Sequence, residues 1–248
     1  MSALLPLTGF THTYDGERLS GLEGGGGGDD GAGDGVPTVV LLHGAGNGTK
    51  DRLVPLLQDF LARGLHGLAL DFSGHGASTG RLAELSLRRR YEQAAAVVED
   101  RVPGTSPLVL VGFSMSGQTL ADLAARFGPR VTALGLCSPA VYAEEAWDVP
   151  FGDGDGRFSE IIRRPDGWRD APALAALRAF PGRAVLAVPG TDEVIPPAVT
   201  DAVAQALAEN SRPLTRLEFP DAGHRLGEWF HTHPADRARF VTAVLGTA

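Results

Sequence analysis

Apolar residues in this chain fall into short, nearly unbroken runs, separated by stretches where they recur every third or fourth position. The runs at 37–42 (PTVVLL), 66–71 (HGLALD), 107–113 (PLVLVGF), 131–137 (VTALGLC), 183–188 (RAVLAV) and 215–219 (TRLEF) have the length and residue content of strands. Few polar residues interrupt them, as expected of parallel strands covered on both faces. Helical spacing marks 50–63, 84–100, 116–127, 196–209 and 234–245; in 116–127 it is carried by Leu120, Leu123, Ala124 and Phe127. This alternation predicts an α/β fold: a mostly parallel, doubly wound sheet flanked by helices. Residues 7–22 alternate more loosely and predict a hairpin at the sheet edge.

Two intervals break the rhythm. Residues 24–35 (GGGGGDDGAGDG) are of low complexity and lack the apolar surface to fold onto anything, so they read as a flexible hairpin loop. No lysine or hydroxyl residue follows at phosphate-loop spacing, and the aspartates repel an anion. Residues 140–182 are too many for a simple connection between strands 131–137 and 183–188. They carry Tyr142, Trp147, Phe151, Phe158, Trp168 and Phe180, and predict a small aromatic lid over the C-terminal edge of the sheet, with a helix and a long surface loop as the alternative. The Gly-Asp-Gly-Asp-Gly run at 152–156 has no acidic residue closing it at EF-hand spacing, so no metal is expected there.

Composition narrows the function classes. A chain of 248 residues suits one α/β domain, 1–248, with the lid inserted within it. Its formal net charge of −8 argues against a nucleic-acid partner or an anionic membrane surface. Cys137 is the single cysteine, which excludes an internal disulfide, and its apolar setting reads as a buried, inert thiol. No apolar run approaches the length of a membrane span, and the first residues lack a basic signal-peptide region. A cytoplasmic protein acting on a small molecule, without cofactor or metal, is the expectation.

The chemistry concentrates at Gly112-Phe-Ser-Met-Ser-Gly117, between the strand 107–113 and the helix 116–127. Ser114 is squeezed into a turn where close neighbours lack bulk, its hydroxyl projects clear of the sheet, and a helix N-terminus points at developing charge. A serine at neutral pH needs a base, and the base needs an orienting carboxylate. His224 follows the last predicted strand in a glycine-containing loop (Pro220-Asp-Ala-Gly-His224) and is the best base. Asp192 and Glu193 follow strand 183–188, and either can supply the carboxylate. The shorter acid reaches an imidazole more readily, which favours Asp192; capping of the helix at 196–209 is the bland role for the same residue. His231 and His233 read as surface polar residues.

Taken together, these motifs resemble the α/β-hydrolase superfamily, most closely the small-lid cinnamoyl/feruloyl-esterase-like and serine-aminopeptidase-like bacterial hydrolases. The G-x-S-x-G elbow stands here as G-x-S-x-S with Gly117 one place later, and the order Ser114, Asp192, His224 is the superfamily's order. The D-x-V-V-P pattern falls on Asp192, although counting from the preceding glycine selects Glu193. Leu41-Leu-His-Gly-Ala-Gly-Asn-Gly48 resembles the His-Gly oxyanion loop, and Asp71-Phe-Ser-Gly-His-Gly-Ala-Ser78 a further turn of the superfamily. The resemblance implies Ser114 as nucleophile, His224 as base, Asp192 as its partner, and the Ala45 and Met115 amides as oxyanion donors. It implies a structural role for residues 71–78, shaping the pocket wall. The expected activity is hydrolysis of a carboxylic ester through an acyl-enzyme. Thioester cleavage, acyl transfer or cyclisation by the same residues, and a catalytically silent binding protein, are the alternatives. Dehalogenase and epoxide hydrolase activities are disfavoured, because those relatives need Asp at position 114.

Overall fold

The computed structural model describes residues 4–25, 35–152 and 156–246. In it, eight strands form one sheet in the order β1-β2-β4-β3-β5-β6-β7-β8. The strands are β1 (Thr8–Tyr14), β2 (Glu17–Gly25), β3 (Thr38–Leu42), β4 (His66–Leu70), β5 (Leu108–Phe113), β6 (Val131–Cys137), β7 (Arg183–Thr191) and β8 (Leu214–Gly223). β1 and β2 form the predicted edge hairpin, and β2 runs antiparallel to β4; every other pairing is parallel. The sheet is therefore the α/β arrangement expected, with a two-stranded antiparallel edge.

Both faces of the central strands are buried, and the alternation of side chains across the pleat divides the core in two. Val40, Leu42, Leu108 and Leu110 face one apolar cluster, while Val39, Leu41, Val109 and Val111 face the other. The first cluster is closed by α2 (Leu87–Arg101), α3 (Ser116–Phe127), α5 (Pro172–Ala179) and α6 (Pro197–Asn210). The second is closed by α1 (Val54–Leu61), α7 (Leu226–Thr232) and α8 (Pro234–Leu245). Continuous apolar strands were legible because both faces needed covering. The remaining helix, α4 (Arg157–Ile162), lies in the interval that broke the pattern.

The reading of the glycine run as loop throughout needs correction. β2 extends through Gly24 and Gly25, which pair with Gly67 and His66, so the glycine run begins as strand; residues 26–34 lie outside the described residues. The Gly-Asp repeat is likewise outside them at 153–155. The aromatic interval 140–182 carries α4 and α5. Its aromatics pack into the first core cluster: Phe151, Phe158 and Phe180 are buried there, with Tyr142, Trp147 and Trp168 against them. The Phe151 and Phe158 rings lie 4.5 Å apart, and α5 packs between α3 and α6 as an ordinary crossover helix. Packing against the first core cluster removes the apolar surface of these rings from water.

Phe158→Ala is therefore expected to lower unfolding free energy by about 3–5 kcal/mol in urea titration, the cost of truncating a core aromatic. A solvent-facing lid residue would instead shift the midpoint by less than about 0.5 kcal/mol.

Candidate active site

Four segments converge at the C-terminal edge of the sheet, and each begins at the residue directly after a strand: His43 after β3, Ser114 after β5, Asp192 after β7 and His224 after β8. Ser114 adopts φ +52°, a left-handed conformation that a residue with a side chain rarely takes. Three backbone hydrogen bonds hold it there. Its N–H donates to the Cys137 carbonyl (2.9 Å), and its own carbonyl accepts from Gly117 (2.8 Å) and Ala140 (3.0 Å). The elbow also needs Gly112, where a Cβ would lie 2.9 Å from both the Ser116 Cβ and the Leu120 side chain.

β8 lies three strands from β5, a step of roughly 14 Å at the usual interstrand spacing. The gap is bridged because β7 and β8 continue beyond the end of β6. β6 stops pairing at Cys137 opposite Ala187, whereas β7 and β8 pair as far as Thr191 and Gly223, across an irregularity at Pro189/Thr191. Thr191 Oγ1 donates to the Ala222 carbonyl (2.9 Å), and Ser138 Oγ at the end of β6 donates to the His224 carbonyl (3.0 Å). The imidazole is thereby delivered over the end of β5.

The resulting contacts are direct. His224 Nδ1 lies 2.9 Å from Asp192 Oδ2, and His224 Nε2 lies 2.9 Å from Ser114 Oγ. A carboxylate accepts only, so Nδ1 carries the proton and Nε2 accepts from the serine hydroxyl. Asp192 Oδ1 accepts from the Val194 (2.8 Å) and Ile195 (3.0 Å) amides, which fixes the carboxylate. The geometry thus selects between the two acids left open by the sequence: Asp192 touches the imidazole, and Glu193 is exposed.

Beside this chain of contacts is a cavity of about 280 Å³. Ser114, His224, Gly44 and Ala45 line it, together with the apolar Leu53, Phe113 and Leu226 and the exposed Val194. Arg52 and Arg225 share Glu228 at the mouth. Among the described residues, none from the aromatic interval lines this cavity, and none of 71–78 does either. The latter corrects the pocket-wall role expected for that turn. Its place is behind the His43 loop, where Asp71 is fully buried and accepts from the Lys50 amide (2.7 Å) and from Lys50 Nζ (2.7 Å).

Ala45 lines the cavity on the loop after β3, and Met115, buried in the core, follows Ser114 into α3. Gly44 lets the loop approach the elbow closely: a Cβ there would stand 3.2 Å from the Phe113 carbonyl and from Ser114 Cβ. The His43 ring organises the loop. Phe72 N–H donates to Nε2 (3.3 Å), so Nδ1 carries the proton and donates to the Gly44 carbonyl (2.6 Å). Because the N–H of a planar peptide points opposite its C=O, holding the Gly44 carbonyl sets the direction of the Ala45 N–H. Burial, with the nearby Arg90 charge and His75, holds the His43 pKa well below its ordinary value and keeps the ring neutral.

Residues the sequence reading passed over are Lys50, His43 as a positioning ring, and Arg90. Arg90 carried a readable signal: with Leu87, Ala94, Val97 and Val98 it occupies the buried stripe of its helix. Among the described residues no group of His, Cys, Asp and Glu has metal-site geometry, and no helix is long and apolar enough to cross a membrane.

The sheet order, the strained serine after β5 and the acid and histidine after β7 and β8 define an α/β-hydrolase fold. The family model described as serine aminopeptidase, S33, matches residues 35–158. The chain belongs to that family, and with it to the hydrolases of the α/β-hydrolase superfamily. Over 132 residues, 53% of the chain, it is 34% identical to the dihydrolipoyllysine-residue acetyltransferase component of an acetoin cleaving system from Cupriavidus necator. Over 105 residues, 42% of the chain, it is 32% identical to monoacylglycerol lipase ABHD6 from Homo sapiens. The matched stretches span about a third of these relatives' own lengths, 33% and 31%. Among solved structures, Est1E from Butyrivibrio proteoclasticus with bound ferulic acid superposes with a TM-score of 0.70 at 17% identity, covering 96% of this chain and 100% of that one. The thioesterase domain of a curacin biosynthetic pathway gives 0.69 at 16%, over 96% and 100%.

The neutral His43 has a consequence for stability. Its folded pKa lies below the ordinary 6.5, so below that pH the unfolded chain binds a proton the folded chain refuses. Stability is complete above about pH 6.5 and falls as pH drops below it, by up to about 1.4 kcal/mol per unit for this group. His43→Gln should flatten that slope in urea titrations between about pH 6 and about pH 5 relative to the wild type. An unchanged slope would mean that His43 is not held neutral.

Proposed function

We propose that the protein is a serine hydrolase that cleaves a carboxylic ester through an acyl-enzyme, with Ser114, His224 and Asp192 as its catalytic residues. The observation that carries this reading is the unbroken chain of contacts from Asp192 through His224 to Ser114, with Ser114 in the strained elbow beside an open cavity. As Ser114 Oγ attacks the substrate carbonyl, its proton passes to His224 Nε2. Asp192 holds the imidazole in the required tautomer and stabilises the imidazolium. The Ala45 and Met115 amides receive the oxyanion. His224 then gives its proton to the departing alcohol, and the same residue activates the water that releases the acid and restores Ser114.

The cavity supports a substrate with a compact apolar group. Its wall is Leu53, Phe113 and Leu226, so selectivity toward such a group comes from the end of β5 and the helical turns after the oxyanion loop and after His224, not from the aromatic interval. The ferulate-bound esterase and the lipase among the similar proteins are consistent with an ester as substrate. No cofactor enters this mechanism, and the substrate is a small molecule.

A fluorophosphonate probe and a panel of p-nitrophenyl esters of graded chain length test the proposal. Wild type should be labelled and should turn over the shorter esters, and Ser114→Ala should lose both. Asp192→Asn should cost about 10⁴ in kcat, because it permits the wrong imidazole tautomer, while Glu193→Gln stays within about threefold of wild type. An unlabelled wild type, or a larger loss in the Glu193 variant, would overturn the mechanism.

A further inference from the structure

Arg90 in α2 is fully buried and has no carboxylate partner among the described residues. Its Cζ sits 3.8 Å above the Phe72 ring, and Nε and Nη1 find no hydrogen-bond acceptor there. Among the described residues only Nη2 is engaged, and both of its acceptors belong to the candidate site: the His43 carbonyl (2.7 Å) and Ser116 Oγ (2.9 Å). Ser116 Oγ in turn donates to the same His43 carbonyl (2.7 Å). A buried guanidinium without a counter-charge is expensive for a fold, and a hydrophobic residue of similar volume would serve the core better.

The triangle of Arg90, Ser116 and the His43 carbonyl joins the two halves of the oxyanion hole. His43 opens the loop that carries Ala45, and its carbonyl is the acceptor end of the peptide preceding Gly44. Ser116 stands one residue after Met115, in the first turn of α3. At this position the superfamily's elbow ordinarily has glycine, which offers no hydroxyl. The serine fits because its side chain is wholly buried against the loop.

We propose that Arg90 and Ser116 are positioning residues for the oxyanion hole: together they clamp the His43 carbonyl, fix the separation of the Ala45 and Met115 amides, and place an unneutralised positive charge behind the developing oxyanion. The inference deepens the hydrolase reading above and rests on it. Neither residue touches the substrate. Their contribution is to hold donors at the transition-state spacing, so it should be expressed in kcat and not in ground-state binding.

The test uses the whole 248-residue chain with a p-nitrophenyl ester as substrate and an aryl trifluoromethyl ketone as the probe that forms a tetrahedral adduct with Ser114. Wild-type labelling by fluorophosphonate first establishes the hydrolase reading separately. Ser116→Ala should lower kcat about tenfold with KM within about twofold, and should weaken the ketone in proportion to kcat/KM. Arg90→Met should lower kcat about 10²-fold or more while Tm stays at or above that of wild type, because a buried unpaired charge has been removed. Arg90→Lys should fall between Arg90→Met and wild type. Because both residues act through one carbonyl, the double variant should be no slower than Arg90→Met alone.

Wild-type kcat in folded Ser116→Ala, losses that follow KM, or a kcat loss in Arg90→Met accompanied by a Tm below that of wild type would overturn the proposal. So would ketone binding that ignores the substitutions. Should Arg90→Met fail to fold, the Ser116→Ala measurements decide the matter by the same criteria.

Discussion

A backbone angle of +52° at a serine is unfavourable by about 1–3 kcal/mol, and the surrounding structure must over-determine it. Here the restraint is distributed. The amide of Ser114 is held by the end of β6, and its carbonyl by the first turn of α3 and by Ala140 at the start of the long interval. The hydroxyl is thus raised above the strand ends and cannot relax into the sheet. Everything else at the site is arranged relative to that fixed point: the His224 loop leans over β6 to meet it, and the His43 loop closes up to it through Gly44.

Polar groups behind the site form a graded support. Lys50 and Asp71 pair in the interior and tie the turn after β4 to the segment leading into α1. The same turn supplies the Phe72 amide that fixes the tautomer of His43, whose ring packs 4.7 Å from that of His75. His43 then sets one peptide of the loop after β3 through its ring, while its carbonyl is gripped by Ser116 and Arg90. A loop that would otherwise sample many conformations is held by side chains from α2, α3 and the turn after β4. That rigidity is what electrostatic stabilisation of a transition state requires, since donors that must reorganise lose their advantage.

Much of this could be read from the chain. Strand and helix periodicity determined the parallel sheet, because strands buried on both faces must be apolar at every position and helices only at every third or fourth. The elbow, His224 and the acid loop were legible for the same reason: each is a short polar interruption directly after an apolar strand. For the aromatic interval, composition shows that a segment must bury its rings but not against which surface. Tyr142, Phe151 and Phe158 turned inward to the core beside α3.

Residue order and spacing alone therefore determined the fold class, the serine-bearing turn and a choice of two acids. Only the tertiary structure decided that Asp192 meets His224, that Lys50 pairs with Asp71, and that Ser116 and Arg90 share one carbonyl. These pairs are separated by tens of residues along the chain, and hydrogen bonds demand contact within about 3 Å. Local periodicity fixes which face a residue presents; which partner it finds there depends on how far β7 and β8 outrun their neighbours and on how the loops fold over the gap.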